Sequence, residues 1–516
     1  MADSFETKFV HDFKPDSNAV VELKNGKFVD VEKGCFFDPG VSLLIKEGKI
    51  ASMPGLEDET TEMRPDCTID LQGKTVMPGL FNSHCHVQMM LPTLLMGLKD
   101  IKLAKKYKQD QLEKNMNECL AHGITNIRDA YTDDLQVSRS FKDRIHKRDI
   151  FGPRIQQSVV VVQPNGYMSQ KTGLSMRMIR TAARIPIKDF ADRVSGILVF
   201  PKDADEKVVR DAVDRAIDER GAEAIKITEQ RTNMNTFESD LDIMTIEQFS
   251  ALTDQARERG LQSTMHQVSV ESFRRGIEGH ISSFAHMARD EELTAEDIKA
   301  FVENGCIVEP TLSVGYDMSW KVTGDEWENH PNLDQLSQYR DKIYGFADLA
   351  EAYYIPELRE SVRGAYDKFV SNKFKLLGLK DLTKMVKNYA CVATCGAENF
   401  RKLYQAGARM ALANDGGVPP CTPAMMDLEL ALFDLYLNND PDEKRFTGAD
   451  ALKIATINSA CSMGMEEAFG SIKTGKTADL AVVDGDPFED FQVVGKRVAA
   501  LFMDGRLVIN SCGLEV

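Results

Sequence analysis

The chain has 516 residues with 80 acidic against 63 basic side chains, a formal net charge of −17, 43% hydrophobic and 28% charged residues. That length suits one large domain plus a smaller one. The acidic excess argues against a nucleic-acid partner and against docking on a membrane of anionic lipid. No apolar run approaches the roughly 18–20 residues needed to cross a bilayer, and Met1 to Asp16 is charged and mixed, unlike a signal peptide. Ten scattered cysteines without a CxxC pair read as free thiols. A cytoplasmic protein is expected.

In chain order, Val20–Val31, Val41–Ile50 and Ile69–Val76 are short β-rich runs punctuated by Asn25-Gly26, Gly48 and Gly73. At the far end, Ala478–Val483 and Val498–Val508 read alike, with turns at Asp484-Gly485 and Asp504-Gly505. Neither end has strands enough to close a core, so residues 1–78 and 466–516 are expected to share a small β-sandwich built from both termini. Between them helix, glycine and strand alternate. Val208, Val209, Ala212, Val213, Ala216 and Ile217 recur at helical spacing before Gly221, and Ala224–Thr228 follows as a strand. Thr245 and Gln248 form a capping-box pattern, Gly260 ends that helix, and Leu261–His266 follows. Ile281–His286 is the next strand; Thr294 with Asp297 opens a helix, Gly305 ends it, and Cys306–Thr311 is a strand. Phe400, Leu403 and Gly407 lead into Ala408–Ala413. Such alternation means parallel strands with crossover helices, and about eight of them favour a (β/α)8 TIM barrel over 79–465, an α/β fold. Residues 313–390, with Trp320, Trp327, Tyr353 and Tyr354, are too long for a crossover and read as an insertion. It is either helical decoration or a wall of the pocket.

His84 and His86 are two residues apart on a strand and point to one side, where two imidazoles can bind one metal. An HxH pair alone is common. Of nine histidines, however, His266 and His286 also end strands, and Asp415 follows the strand Ala408–Ala413. All fall on the barrel face where active sites form. His11, His122, His146, His280 and His330 lack this placement and read as structural or surface residues. Lys226 interrupts the apolar strand Ala224-Ile225-Lys226-Ile227, where an uncompensated ammonium is costly. Either a carboxylate such as Glu229 pairs with it, or its neutral amine reacts with CO2 to give a carbamate able to bridge two cations.

The run Val76-Met77-Pro78-Gly79-Leu80-Phe81-Asn82-Ser83-His84-Cys85-His86 resembles the first barrel strand of the amidohydrolase superfamily. Gly470–Leu480 resembles its C-terminal return, and Ala455–Ala460 the helix before that return. The resemblance covers nearly the whole chain outside 313–390. It is closest to the imidazolonepropionase-like and Xaa-Pro-dipeptidase-like branch. It implies that His84, His86 and Asp415 bind one metal, that His266 and His286 bind a second, and that a carbamylated Lys226 bridges both. Lys226 favours the two-metal arrangement, because mononuclear deaminases and imidazolonepropionase lack that lysine. Two divalent ions, zinc expected from the nitrogen and oxygen ligands, would share a hydroxide, with Asp415 as general acid/base. The implied reaction is hydrolysis of an amide C–N bond in a small peptide, N-acyl amino acid or cyclic amide. The alternatives are a lactonase or other ester hydrolase on the same site, a mononuclear deaminase, or a non-catalytic binding protein. A homo-oligomer is expected by analogy with the family.

Departures from the family fall where substrate is read. Gln163-Pro164-Asn165-Gly166-Tyr167 replaces a histidine-bearing loop after the third strand; Asn165 or Tyr167 either donates to a substrate carbonyl or belongs to a simple turn. Glu229, Gln230 and Arg231 replace a glycine-rich stretch, and Arg231 either clamps a substrate carboxylate or makes a surface salt bridge. Met287 stands for a usual glycine, and Asn414-Asp415 for Thr-Asp.

Overall fold

Turn chemistry breaks the terminal runs into strands. Leu43–Lys46 and Lys49–Ser52 pair antiparallel across Glu47 (φ 51°) and Gly48 (φ 76°), and Ala500–Met503 and Arg506–Asn510 across Asp504 (φ 47°) and Gly505 (φ 68°). Positive φ at both central residues matches the twist of a two-residue hairpin. The computed structural model describes residues 6–16, 18–56, 63–88, 98–170, 190–233, 239–319, 351–370, 388–418 and 421–516. Among these, the terminal strands form two sheets. One runs Lys49–Ser52, Leu43–Lys46, Val21–Lys24, Cys67–Asp70. The other runs Arg506–Asn510, Ala500–Met503, Leu480–Val483, Thr75–Pro78, Lys27–Asp30, Cys35–Phe36. In the second, Leu480–Val483 lies antiparallel on Thr75–Pro78, so both ends of the chain share one ladder. A single apolar cluster takes Leu23, Ile45 and Ile69 from the first sheet and Phe28, Val76, Val482 and Phe502 from the second.

The middle of the chain is a parallel sheet whose strands follow chain order. They are β1 (Leu80–Cys85), β2 (Ile124–Asp129), β3 (Arg154–Val162), β4 (Ala224–Thr228), β5 (Ser263–His266), β6 (Ser283–Ala285), β7 (Ile307–Glu309) and β8 (Arg409–Met410). Ile197–Val199 pairs beside β3, off this path. Backbone bonds return the first strand to the last: Ser83 N to Leu412 O (2.9 Å), Asp415 N to His84 O (3.0 Å) and His86 N to Gly416 O (2.6 Å). This is a TIM-barrel-like α/β fold.

The crossover helices begin and stop where local chemistry says. Thr245 with Gln248 and Thr294 with Asp297 form reciprocal capping boxes on Ile246–Glu258 and Ala295–Glu303. Gly221, Gly260, Gly305 and Gly407 all take positive φ after their helices, the left-handed conformation that ends a helix at least cost to glycine. Strands are shorter than the apolar runs suggest. Ala408–Ala413 is regular only over Arg409–Met410, because Leu412 N turns to Ser459 Oγ (2.8 Å) and Ile454 O (3.2 Å). Within 313–390 the described parts include helices Leu312–Ser319 and Pro356–Val370, with Tyr354 buried and Tyr353 O accepting from Gln111 (2.8 Å). Trp320, Trp327 and the rest of 320–350, with 371–387, lie outside the described residues. No helix of the described residues is long and apolar enough to cross a membrane.

The seam between β1 and the segment after β8 depends on Gly416. A Cβ there would lie 2.5 Å from Pro423 Cα, Pro423 N and the Thr422 carbonyl carbon, all backbone. Gly416→Ala should therefore destabilise the chain by about 2–3 kcal/mol, read as a lower urea midpoint; an unchanged midpoint would refute this account of the seam.

Candidate metal centre

Asn82 on β1 donates through Nδ2 to Asn414 Oδ1 (2.8 Å) and Pro423 O (2.9 Å), and the same Asn414 oxygen accepts from Gly416 N (2.9 Å). Asn414 donates in turn to Thr422 O (2.7 Å). All these groups are buried, so the satisfied amides lock β1 to the Asp415 segment without competition from water. Asp415 (φ 54°), His286 (φ 71°) and Thr311 (φ 50°) hold left-handed backbone conformations unusual outside glycine. Such strain survives only where the surroundings over-determine it, which is typical of functional sites.

Four strand ends converge. Asp415 Oδ1 lies 2.9 Å from His86 Nε2 and 3.3 Å from His84 Nε2. One ligand atom each of His84, His286 and Asp415 falls within 4.8 Å of the others, and all three residues are buried. The His286 ring stands 5.2 Å from that of His84 and 4.6 Å from that of His266. His286 Nδ1 is 2.6 Å from Thr311 Oγ1 and His266 Nε2 is 2.8 Å from Gln230 Oε1. Tyr167 stacks on His266 with centroids 4.5 Å apart and planes at 10°.

Protonation states suit ligation. Burial first, then the Lys226 charge, holds His266 well below the usual imidazole range; burial and the neighbouring His266 do the same to His286. Neutral imidazole is the ligating form. Burial alone would raise Asp415, but the His86 and His84 imidazoles outweigh it and keep the carboxyl ionised. Lys226 is 3% exposed, and its Nζ makes no hydrogen bond among the described residues. Burial lowers it to about 7 against the opposing pull of Glu309 and Asp415. Glu229 does not pair with it, because that carboxylate is held by Arg275 at 2.6 Å. Buried polar atoms without hydrogen-bond partners are rare, yet His86 Nδ1 and Lys226 Nζ are both such atoms here. A centre with two unsatisfied nitrogens beside clustered imidazoles and a carboxylate fits a metal group.

Of the other sequence-selected residues, Asn165 is exposed and works in a loop contact, its Nδ2 on Asp240 O (3.2 Å) and its carbonyl on Asp242 N (3.0 Å). Arg231 pairs with Glu271 at 3.2 Å, with both side chains about half exposed. Tyr167 stands at the metal-ligand cluster. His122 is buried with Nδ1 on Glu118 O (2.8 Å), and His280 is exposed beside Asp254.

Reasoning from histidine placement missed the layer beneath. Glu309 ends β7 fully buried, with Oε1 2.8 Å from Arg128 Nη1 on β2 and Oε2 3.4 Å from His84 Nδ1. Arg128 also donates to Gln156 Oε1 (3.0 Å) and to the Ser462 carbonyl, while Ser462 Oγ donates to Glu309. Burial raises Glu309, yet the guanidinium outweighs it and holds the carboxyl at about 2. The signal was weak, since Arg128 sits in the mixed strand Ile124–Asp129 and Glu309 only closes the apolar run Ile307-Val308.

Removing either partner of this pair leaves an uncompensated buried charge, at a cost of about 3–5 kcal/mol. Glu309→Gln and Arg128→Met should each lower the urea midpoint accordingly, and the double variant Arg128→Met/Glu309→Leu should lose much less than their sum. Additive losses would show that the two charges do not depend on each other.

Residues 75–508 match the Amidohydrolase family. Imidazolonepropionase of Symbiobacterium thermophilum is 30% identical over 93 residues, 18% of this chain and 20% of that protein. A 5-methylthioadenosine/S-adenosylhomocysteine deaminase of Syntrophobacter fumaroxidans is 38% identical over 85 residues, 16% of this chain and 18% of that one. The chain thus spans about a fifth of the length of these curated relatives. Among solved structures, a Xaa-Pro dipeptidase with bound methionine superposes with a TM-score of 0.63 at 20% identity, covering 95% of this chain and 99% of its own. A prolidase from Bifidobacterium longum gives 0.61 at 21%, covering 96% and 95%. At such identities the likeness speaks for the fold. With the profile matched over most of its length, the chain belongs to the amidohydrolase family.

Proposed function

We propose that this protein is a metal-dependent hydrolase that cleaves an amide C–N bond in a small-molecule substrate: a small peptide, an N-acyl amino acid or a cyclic amide. The carrying observation is the convergence of His84, His286 and Asp415 ligand atoms within 4.8 Å, beside an unpartnered Lys226. In this reading His84, His86 and Asp415 would hold one divalent ion and His266 with His286 a second, both zinc. Lys226, as its carbamate, would be a ligand of both, on a (β/α)8 barrel flanked by a small β-sandwich. The relatives named above, an imidazolonepropionase and a Xaa-Pro dipeptidase among them, support chemistry at C–N bonds.

When bound, such ions acidify water and polarise a carbonyl. Asp415, an ionised carboxylate facing both first-strand imidazoles, accepts the proton from the attacking water and returns it to the leaving nitrogen. His84, His86, His266 and His286 hold the centre in place, and burial keeps the last two neutral. Thr311 and Gln230 fix the ring orientations of His286 and His266. The neutral amine of Lys226, favoured by burial, is the form that adds CO2; the product is an anion where the strand interior otherwise holds an unpaired base. In this reading Tyr167, flat against His266, donates to a substrate carbonyl.

Protein purified with zinc and bicarbonate should carry about two zinc ions per chain by elemental analysis, fall below that in Lys226→Ala, and hydrolyse members of a panel of dipeptides, N-acyl amino acids and hydantoins. One ion per chain, unaffected by Lys226→Ala, would remove the bridge and favour deaminase-type chemistry. Turnover of lactones but of no amide would replace the amidase reading with an esterase one.

A further inference from the structure

Arg289 lies three residues beyond His286 and is 3% exposed. A buried guanidinium ordinarily meets a carboxylate, because an unpaired charge away from water is costly. Elsewhere in this chain Arg128 meets Glu309, Arg154 meets Asp479 and Arg275 meets Glu229. Arg289 differs. Its Nε and Nη2 both donate to one neutral oxygen, Asn388 Oδ1, at 2.9 and 2.6 Å, and its guanidinium carbon lies 4.8 Å from the centre of the Tyr389 ring. No carboxylate of the described residues pairs with it.

Its backbone places it beside the candidate ligands, since Arg289 N donates to Val268 O (3.1 Å), two residues past His266. Burial weakens its hold on a proton, while Tyr389, Cys391, Tyr167 and Asp415 all lie near enough to strengthen it, and its own charge in turn helps keep His266 neutral. The ring of Tyr167 connects the two, since it stacks on His266 and feels the Arg289 charge. Asn388 and Tyr389 belong to the far end of the 313–390 segment, so that segment orients the guanidinium. An amide oxygen and an aromatic face hold an arginine in place without neutralising it. A pre-oriented guanidinium fork on the loop after the His286 strand matches an anionic group on a ligand, and a carboxylate is the anion whose geometry it pairs bidentately. Arg231, engaged by Glu271 at a half-exposed position, offers no comparable buried cation.

We infer that Arg289, held by Asn388 and Tyr389, is the substrate-carboxylate receptor of this site, so that the amide it takes carries a free carboxylate, as an N-acyl amino acid or a dipeptide does. This deepens the amidase reading and rests on it for the identity of the bond, though not for the binding itself.

The test is calorimetric binding to the zinc-loaded full chain of N-acetyl amino acids with apolar, acidic and basic side chains, each compared with its C-terminal amide. At least one acid should bind about 10- to 100-fold more tightly than its amide, the range of a charge-assisted hydrogen-bonded pair. Arg289→Met should abolish that preference while retaining zinc. Asn388→Asp should also abolish it with the arginine intact, by placing a carboxylate of the protein on the guanidinium. A preference that survives both variants, amides binding as well as acids, or no binding by any member of the panel would overturn the assignment. Turnover of the same panel separates the two readings. Acid-selective binding without hydrolysis would keep Arg289 and remove the amidase; hydrolysis indifferent to the carboxylate would do the reverse.

Discussion

The site rests on an ion pair buried inside the barrel. Arg128 and Glu309 face each other at 2.8 Å with neither side chain exposed, in a space usually filled by aliphatic side chains. Two charges there are tolerated only because the hydrogen bonds around them are also made, through Gln156, Ser283 and Ser462. The pair links two non-adjacent strands, β2 and β7, and the helix Ser459–Met463 that follows the barrel. It therefore ties the strands together and sets the field under the candidate ligands. Glu309 stays an anion below His84 and near Lys226, and it moderates the desolvation that would otherwise drive the Lys226 charge out still more strongly.

Above this base, backbone and amide contacts place the ligands. Asn82 and Asn414 clamp the first strand to the last segment, and the left-handed turns at His286 and Asp415 aim those side chains into the mouth. The Asn414 that departs from the common Thr-Asp pattern is thus a working part of the seam, with both ends of its amide used. The π-helical turn Ile454–Asn458 feeds the same region, since Ile454 O and Ser459 Oγ take the Leu412 amide off the regular ladder just before Asp415. Irregular backbone of this kind recurs beside functional sites because it re-aims one element without unfolding its neighbours.

Around the cluster, chemistry is divided among segments with different constraints. The strand ends carry the ligands and are held by the sheet. Tyr167 comes from the loop after β3 and Arg289 from the loop after β6, and the latter is oriented by Asn388 and Tyr389 of a segment outside the helix–strand rhythm. Such division lets side chains on loops vary while the candidate ligand frame stays on the barrel.

Much was legible in the sequence because it is local. Turn glycines, capping boxes and the alternation of helix and strand depend on a few neighbouring residues, and Thr245–Gln248, Thr294–Asp297, Gly260 and Gly305 each behave as their chemistry requires. The candidate ligands His84, His266, His286 and Asp415 were visible for the same reason, as strand ends share a face in a parallel barrel. Pairing across the chain was not. Lys226 was equally compatible with Glu229 until the fold gave Glu229 to Arg275; Arg231 read as a substrate clamp or a surface ion pair until it met Glu271, and nothing local marked Arg289, which meets Asn388. A charge in an apolar strand announces that it needs a partner, but the partner lies 181 residues away for Arg128 and Glu309. Sequence alone determined the elements and the ligand-bearing strand ends, because periodicity and turn preference are short-range. Which buried charges are neutralised, and which remain free to meet a substrate, only the tertiary structure decided, because that depends on distances between residues the chain brings together last.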